Sequence, residues 1–309
     1  MTRPGRRARE RAGPGGFLVV DKPPGWTSHD VVDAARGWLG TRRVGHLGTL
    51  DPLATGVLPL AVREATKLAP FLAAGVKIYR ARLWLGRETD TLDAEGRVLR
   101  EHAGPLPDED SVRAACAAFV GEIEQIPPMF SAVKQGGVPL HRLARRGEEV
   151  ERAPRRITIE RIELGRFEPP ALELEVVCSA GTYVRTLAAD IGARLGCGAH
   201  LAALRRTRSG PFEIGAAATP AELEARAAAG TLEAGLIPEA AGLGLPTLQL
   251  GPEEARRVAH GGPIPSPGAP DRARTGDRLA ALAPDGKLLA VLERRPDGLL
   301  RALRVLRPG

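Results

Sequence analysis

Aromatic residues make up only 4% of this 309-residue chain, with two Tyr, three Trp and six Phe, so the position of each one is informative. Cysteine is equally scarce. Cys116, Cys178 and Cys197 are odd in number and scattered, without metal-ligand or redox spacing, which excludes a disulfide framework and leaves ordinary reduced core residues. No apolar run approaches the length needed to cross a bilayer. The arginine-rich start lacks the apolar segment of a secretory signal, so the sequence predicts a cytoplasmic protein with no membrane partner. No internal repeat is visible.

What is present is basic. The net charge is +7 and the pI about 9.9, which favours a polyanionic partner such as nucleic acid. The first sixteen residues, MTRPGRRARERAGPGG, hold five Arg and one Glu, so +4 of the net charge sits there. This stretch reads as a disordered tail that either adds nonspecific phosphate affinity or only solubilises. A hydrophobic fraction of 43% and a charged fraction of 26% are ordinary for a globular protein. The length predicts two domains.

Along the chain, FLVVDKPPGW (17–26) reads as a short strand stopped by Pro23, Pro24 and Gly25. A helix follows, with Ser28 as its expected cap, Val31, Val32, Ala35, Trp38 and Leu39 as its apolar stripe, and Gly40 as its end. KIYRARLWLG (77–86) alternates, placing Tyr79, Ala81, Leu83 and Leu85 on one face of a half-buried strand. Residues 111–121 and the Ala-rich 216–230 read as helices, and 157–164 as a strand. Residues 171–187 read as a strand passing through Gly181 into a helix with the stripe Leu187, Ile191 and Leu195. The Pro- and Gly-rich segment 125–150 is either a mobile flap or a long irregular connection. Beyond a composition shift near residue 245, alternating segments with turn spacing predict a small all-β domain. Mixed α and β elements with antiparallel-looking strands are the expected class.

One stretch stands out. GHLGTLDPLATG (45–56) carries a single carboxylate, Asp51, among glycines, hydroxyls, apolar residues and His46. Asp-Pro alone is common turn chemistry. Gly45, Gly48 and Gly56, which allow close approach, and Leu47, Leu50 and Leu53, which suggest packing, make this loop a candidate site instead.

DKPPGWTSHDVV, GHLGTLDPLATGVLP, IYRARLWLGRETDTLDAEG, QIPPMFSAVK, CSAGTYVRTLAADIG and LGCGAHLAALRR, in this order from about residue 17 to 215, resemble the TruB family of tRNA pseudouridine synthases. The resemblance implies an α+β fold, a mixed and mainly antiparallel sheet flanked by helices, with a small C-terminal PUA-like domain. It divides the chain into the basic tail (1–16), a catalytic domain (17–244) with an RNA-gripping insertion (125–150), and an RNA-binding domain (245–309).

The implied reaction is isomerisation of uridine to pseudouridine at position 55 in the T loop of tRNA, by a monomer needing no metal, organic cofactor or protein partner. Six dispersed His and the lack of a phosphate-cradling motif are consistent with that. By matching motif positions, Asp51 is the implied nucleophile, Arg185 its partner, and Tyr79 the ring that stacks on the target base. Tyr183 and Leu204 match base-pocket positions, and His46 a position that contacts the RNA. Lys22 either supports the catalytic loop or touches a phosphate. Taken without the resemblance, Tyr79 and Leu204 would read as core, His46 as a satisfied polar residue and Arg185 as a surface or phosphate contact. Phe130 stands where relatives often carry Tyr, and His141 where they carry another aromatic. Two other readings remain: a guide-RNA-dependent pseudouridine synthase, and an RNA-binding protein that folds tRNA with incidental catalysis.

Overall fold

The computed structural model describes residues 12–131, 133–144, 146–148, 150–266 and 274–306. Strand β1 (Gly16–Lys22) is followed by helix α1 (Ser28–Leu39) and strands β2 (Val44–His46) and β3 (Thr55–Val62). Short helix α2 (Ala69–Leu72) leads into β4 (Lys77–Leu85), then the pair β5 (Arg87–Thr89) and β6 (Val98–Glu101). Helix α3 (Glu109–Ala117) and β7 (Gly121–Gln125) precede β8 (Lys134–Gln135), β9 (Val138–Pro139) and α4 (Leu140–Ala144). Next come β10 (Arg155–Glu168), β11 (Ala171–Cys178), α5 (Val184–Arg194), β12 (Ala199–Ser209) and β13 (Phe212–Glu213). Helices α6 (Pro220–Ala228) and α7 (Glu239–Leu243) lead to β14 (Thr247–Gln249), α8 (Pro252–Ala259) and β15 (Ile264–Pro265). Strands β16 (Arg278–Leu282), β17 (Leu288–Arg294) and β18 (Leu299–Val305) follow.

The main sheet runs β1-β3-β12-β4-β11-β10-β7, with β2 added to β3 and β13 to β12. Every pairing in it is antiparallel except one: β3 and β12 run parallel, touching only at Thr55↔Arg205 and Gly56↔Arg206. That short parallel seam matters for the site. Gly56 sits there at φ +98°, and a Cβ at this position would lie 2.2 Å from the Arg206 carbonyl oxygen, so only glycine lets the strands meet.

Local chemistry explains the helices that flank the sheet. The cap of α1 is Thr27, not Ser28: Thr27 accepts from the Asp30 amide while the Asp30 carboxylate takes the Thr27 N–H. Ser28 is displaced from the expected role because its hydroxyl is committed to the loop carrying Asp51. Val31, Val32, Ala35 and Leu39 are buried, and Gly40 ends the helix in the left-handed region. In β4 the alternation holds, with Tyr79, Ala81, Leu83 and Leu85 buried together with Lys77. These side chains join α1, α3 and α5 residues in one core, where each fully buried Val or Leu contributes roughly 1.5–3 kcal/mol.

Residues after 246 form a second sheet, β14-β16-β17-β18-β15, with α8 packed on it. The sheet is not free-standing. Leu288, Val291 and Leu306 share a hydrophobic cluster with Phe17, Val19, Val57 and Ala61 on the back of β1 and β3. Of the expected tail, residues 1–11 lie outside the described residues, whereas the Pro14 carbonyl accepts a 2.8 Å hydrogen bond from Arg63 and Gly16 already belongs to β1. Between residues 126 and 150, among the described residues, only β8, β9 and α4 are regular, and the His141 side chain lies outside the described residues.

Candidate active site

The loop between β2 and β3 is held from below by backbone carbonyls aimed at two buried cations. Lys22, fully buried at the end of β1, donates to the carbonyls of Pro23 at 2.9 Å, Trp26 at 2.6 Å and Pro52 at 3.1 Å. Arg206, 1% exposed on β12, donates to the carbonyls of Gly48 at 3.0 Å, Thr49 at 3.3 Å and Val57 at 2.8 Å. The Ser28 hydroxyl completes the frame, donating to the Leu50 carbonyl at 3.0 Å and accepting the Leu50 N–H at 2.9 Å. Leu47, Leu50 and Ala54 are buried beneath. Asp51 is thereby presented on a fixed backbone rather than on a mobile turn.

Two roles were open for Lys22, support of the catalytic loop or a phosphate contact. An ammonium has three protons, and all three are committed to carbonyls, so no donor remains for an RNA phosphate. It supports the loop instead. Burial lowers its pKa to about 8, and Asp51 is the largest opposing influence.

Arg185, on the first turn of α5, connects four parts of the chain. Its Nε lies 2.9 Å from Oδ2 of Asp51, and its Nη1 lies 3.3 Å from Oδ2 of Asp93 and 3.2 Å from the Thr91 carbonyl. Its Nη2 donates to the Phe130 carbonyl at 2.8 Å, which ties in the 125–150 segment. Asp93 is itself buried and fixed, accepting from the Thr91 hydroxyl at 2.6 Å and the Glu95 amide at 3.2 Å. Burial pushes the Asp51 carboxyl up, the Arg185 cation pulls it down, the Asp93 carboxylate pushes it up again, and Lys22 pulls it down. Burial prevails: the Asp51 carboxyl stands above the usual carboxylate range, with Arg185 and Lys22 opposing the shift and Asp93 adding to it.

Asp51, Arg185, Tyr79, Tyr183 and Leu204 line one cavity of about 250 Å3. Tyr79 is 7% exposed, and burial raises its phenol pKa against the pull of Arg206, its cross-strand neighbour. Leu204 is buried on β12 two residues before Arg206. Tyr183 caps α5, and the side-chain amide of Gln125 clamps its backbone, accepting its N–H at 2.8 Å and donating to its carbonyl at 3.1 Å. His46 is not among the residues lining this cavity. It stands half-buried on β2, its buried Nδ1 without a partner among the described residues, and burial and the Arg206 charge lower its pKa.

Three contributors were not singled out from the sequence: Asp93, Arg206 and Gln125. Asp93 lies inside a quoted motif, but its acidic neighbours give it the look of an exposed turn. Among the described residues, no cluster of His, Cys, Asp or Glu is placed to hold a metal ion.

A buried guanidinium that orients one carboxylate beside an aromatic-walled cavity suits chemistry on a planar ring. Residues 36–184 match the model of the TruB family pseudouridylate synthase N-terminal domain. Residues 185–238 match the tRNA pseudouridylate synthase B C-terminal domain, and 245–307 the C-terminal domain of tRNA pseudouridine synthase II. Among curated relatives, tRNA pseudouridine synthase B of Syntrophotalea carbinolica is 49% identical over 80% of this chain and 81% of its own. The tRNA pseudouridine synthase B of Pseudomonas aeruginosa is 44% identical over 94% of this chain and 96% of its own. Of solved structures, an H/ACA RNP bound to a substrate RNA containing 2′-deoxyuridine contains a chain that superimposes with a TM-score of 0.73 at 27% identity. That match covers 95% of this chain and 85% of the other. With its sheet, its loop and its cavity, the chain belongs to the TruB family of pseudouridylate synthases.

Proposed function

We propose that this protein isomerises uridine to pseudouridine at position 55 in the T loop of tRNA, acting as a stand-alone monomer without a metal or organic cofactor. The observation that carries this reading is the pairing of Asp51 with buried Arg185 in the wall of a cavity also lined by Tyr79 and Leu204. The names of the relatives support tRNA as the substrate.

In this reading Asp51 is the nucleophile, and Arg185 aims it and opposes the protonation that burial favours. The target uridine leaves its stack at a cost of roughly a few kcal/mol, offset by about 1–3 kcal/mol of stacking on an aromatic ring, here Tyr79. The bond between C1′ and N1 breaks with its electron pair on the base. The base turns, C5 bonds to C1′, the bond that Asp51 made to the nucleotide breaks and returns its electron pair to the carboxylate, the proton on C5 leaves, and N1 gains one. Tyr183 and Leu204 wall the base pocket. His46, outside the cavity, meets the RNA loop as the base swings out. The 125–150 segment and the C-terminal domain, residues 245–309, grip the RNA, and the arginine-rich start adds affinity for phosphates.

The test is carbodiimide mapping of an unmodified tRNA transcript after incubation with the protein. A single new pseudouridine at position 55 supports the assignment. Pseudouridine elsewhere, or none, refutes the position or the activity.

A further inference from the structure

Lys77 occupies the same cavity and has no role in the account above. It opens β4, is 6% exposed, and lines the cavity with Asp51, Tyr79 and Leu204. Its end lies beside the catalytic loop: a Cβ built on Gly48 would be 3.9 Å from Lys77 Cε and 3.6 Å from Arg206 Nη1. Comparison with the other buried cations is informative. Lys22 gives all three protons to carbonyls, and Arg206 uses Nε, Nη1 and Nη2 on three more. Lys77 makes one hydrogen bond, to the Gly75 carbonyl at 3.0 Å. Its other two N–H groups meet no acceptor among the described residues, and it has no carboxylate partner there.

An ammonium held in a cavity wall with two unused donors is available to an acceptor that enters the cavity. Burial and the Arg206 charge lower its pKa to about 8, so it is still mostly a cation at neutral pH. Resting on the reading of the site as a uridine isomerase, we propose that Lys77 donates hydrogen bonds to a carbonyl oxygen of the flipped uracil and stabilises the negative charge that the base acquires as its bond to C1′ breaks. The electron pair of that bond spreads over N1 and the ring carbonyl oxygens, whichever carbon Asp51 attacks. A fixed cation near those oxygens interacts more strongly with the detached base than with the neutral nucleotide, which is the condition for raising the rate rather than the affinity. A backbone phosphate is the less suitable acceptor, because RNA phosphates track the protein surface and Lys77 is almost wholly enclosed.

The experiment is a cycle between residue and substrate atom. Single-turnover rates are measured for the full chain and for Lys77→Met on T-arm RNAs whose target is uridine, 2-thiouridine or 4-thiouridine, sulfur being the poorer acceptor. The expected result is a loss of at least about tenfold in rate on uridine with RNA affinity within about twofold. At one sulfur position the penalty seen in the wild type should vanish in the variant. Penalties that simply multiply at both positions would overturn the proposal and leave Lys77 a structural residue. Weaker RNA binding with a shallower salt dependence, equal for all three substrates, would assign Lys77 to a phosphate and also overturn it. The same cycle with Lys77→Gln, which keeps a polar end in the buried site, answers the question if Lys77→Met is unstable. Wild type that fails on uridine itself would refute the isomerase reading rather than the role of Lys77.

Discussion

Arg185 places Nε 2.9 Å from Oδ2 of Asp51 while the same guanidinium reaches a second buried carboxylate, Asp93, at 3.3 Å. One cation is therefore shared by two acids, one facing the cavity and one behind it. Asp93 fixes where Arg185 can point, and so where Asp51 is held.

Asp93→Asn removes the rear charge but keeps most of the shape. A misplacement of Arg185 by about 1 Å is enough for a loss of the order of a hundredfold in rate. Single-turnover kinetics should show a drop of about 10- to 100-fold with RNA affinity unchanged. A loss confined to affinity would contradict the orienting role.

Lys22→Met tests the loop-supporting role of that residue. Three carbonyls lose their shared donor, so stability to urea should fall by about 1–3 kcal/mol. The salt dependence of RNA binding should stay the same, since no phosphate contact is lost. A slope reduced by about one would restore the phosphate reading.

The lowered pKa of Lys77 has a consequence for stability. In the unfolded chain it titrates near 10.5 and in the folded protein near 8. Between those values the unfolded state binds more protons, so this group destabilises the fold fully below pH 8 and progressively less as pH rises toward 10.5. The stability of Lys77→Met relative to wild type should therefore be greatest below pH 8 and decline across that window, by at most about 1.4 kcal/mol per pH unit. Urea titrations of both proteins from pH 7.5 to 10.5 measure this, and Lys22, present in both, cancels. A difference independent of pH would contradict it.

Gly56→Ala places a methyl 2.2 Å from the Arg206 carbonyl at a φ of +98°. The seam between β3 and β12 must then open. A loss of more than about 2 kcal/mol is expected from strain and displacement together, measured by chemical denaturation. Little change would mean that the seam tolerates a shift the geometry does not allow.

Much of this was legible in the sequence because it is local. The alternation in 77–85 placed Tyr79 inward, and the Gly-rich loop with one acid marked Asp51. Arg185 was reached through the resemblance of CSAGTYVRT to the family motif, which placed it before the helix, whereas α5 already begins at Val184. What was not legible depends on distant pairing. Arg206 supports the loop only because β12 meets β3 in parallel, about 150 residues away in sequence, and nothing in LAALRR reveals that register. Gln125 clamps Tyr183 across 58 positions. Asp93 follows Leu92, which adopts φ +63°, a conformation unexpected for leucine, so TDTLDAEG reads as an exposed acidic turn rather than as a buried carboxylate. Lys77 shares the Tyr79 face by alternation, but nothing local shows that a lysine opening the strand reaches the cavity of Asp51. Ser28 missed its expected capping role by one position, because Thr27 caps the helix and frees Ser28 to bind Leu50.

The central claim is that Asp51 is the nucleophile of a uridine isomerase. The most direct measurement is tritium release from C5 of uridine in a tRNA T-arm transcript, comparing wild type with Asp51→Asn, together with RNA binding by both. The account predicts release from one loop uridine by wild type, and a fall of more than about a thousandfold in the variant with binding retained. Release by Asp51→Asn at a rate near wild type would contradict it.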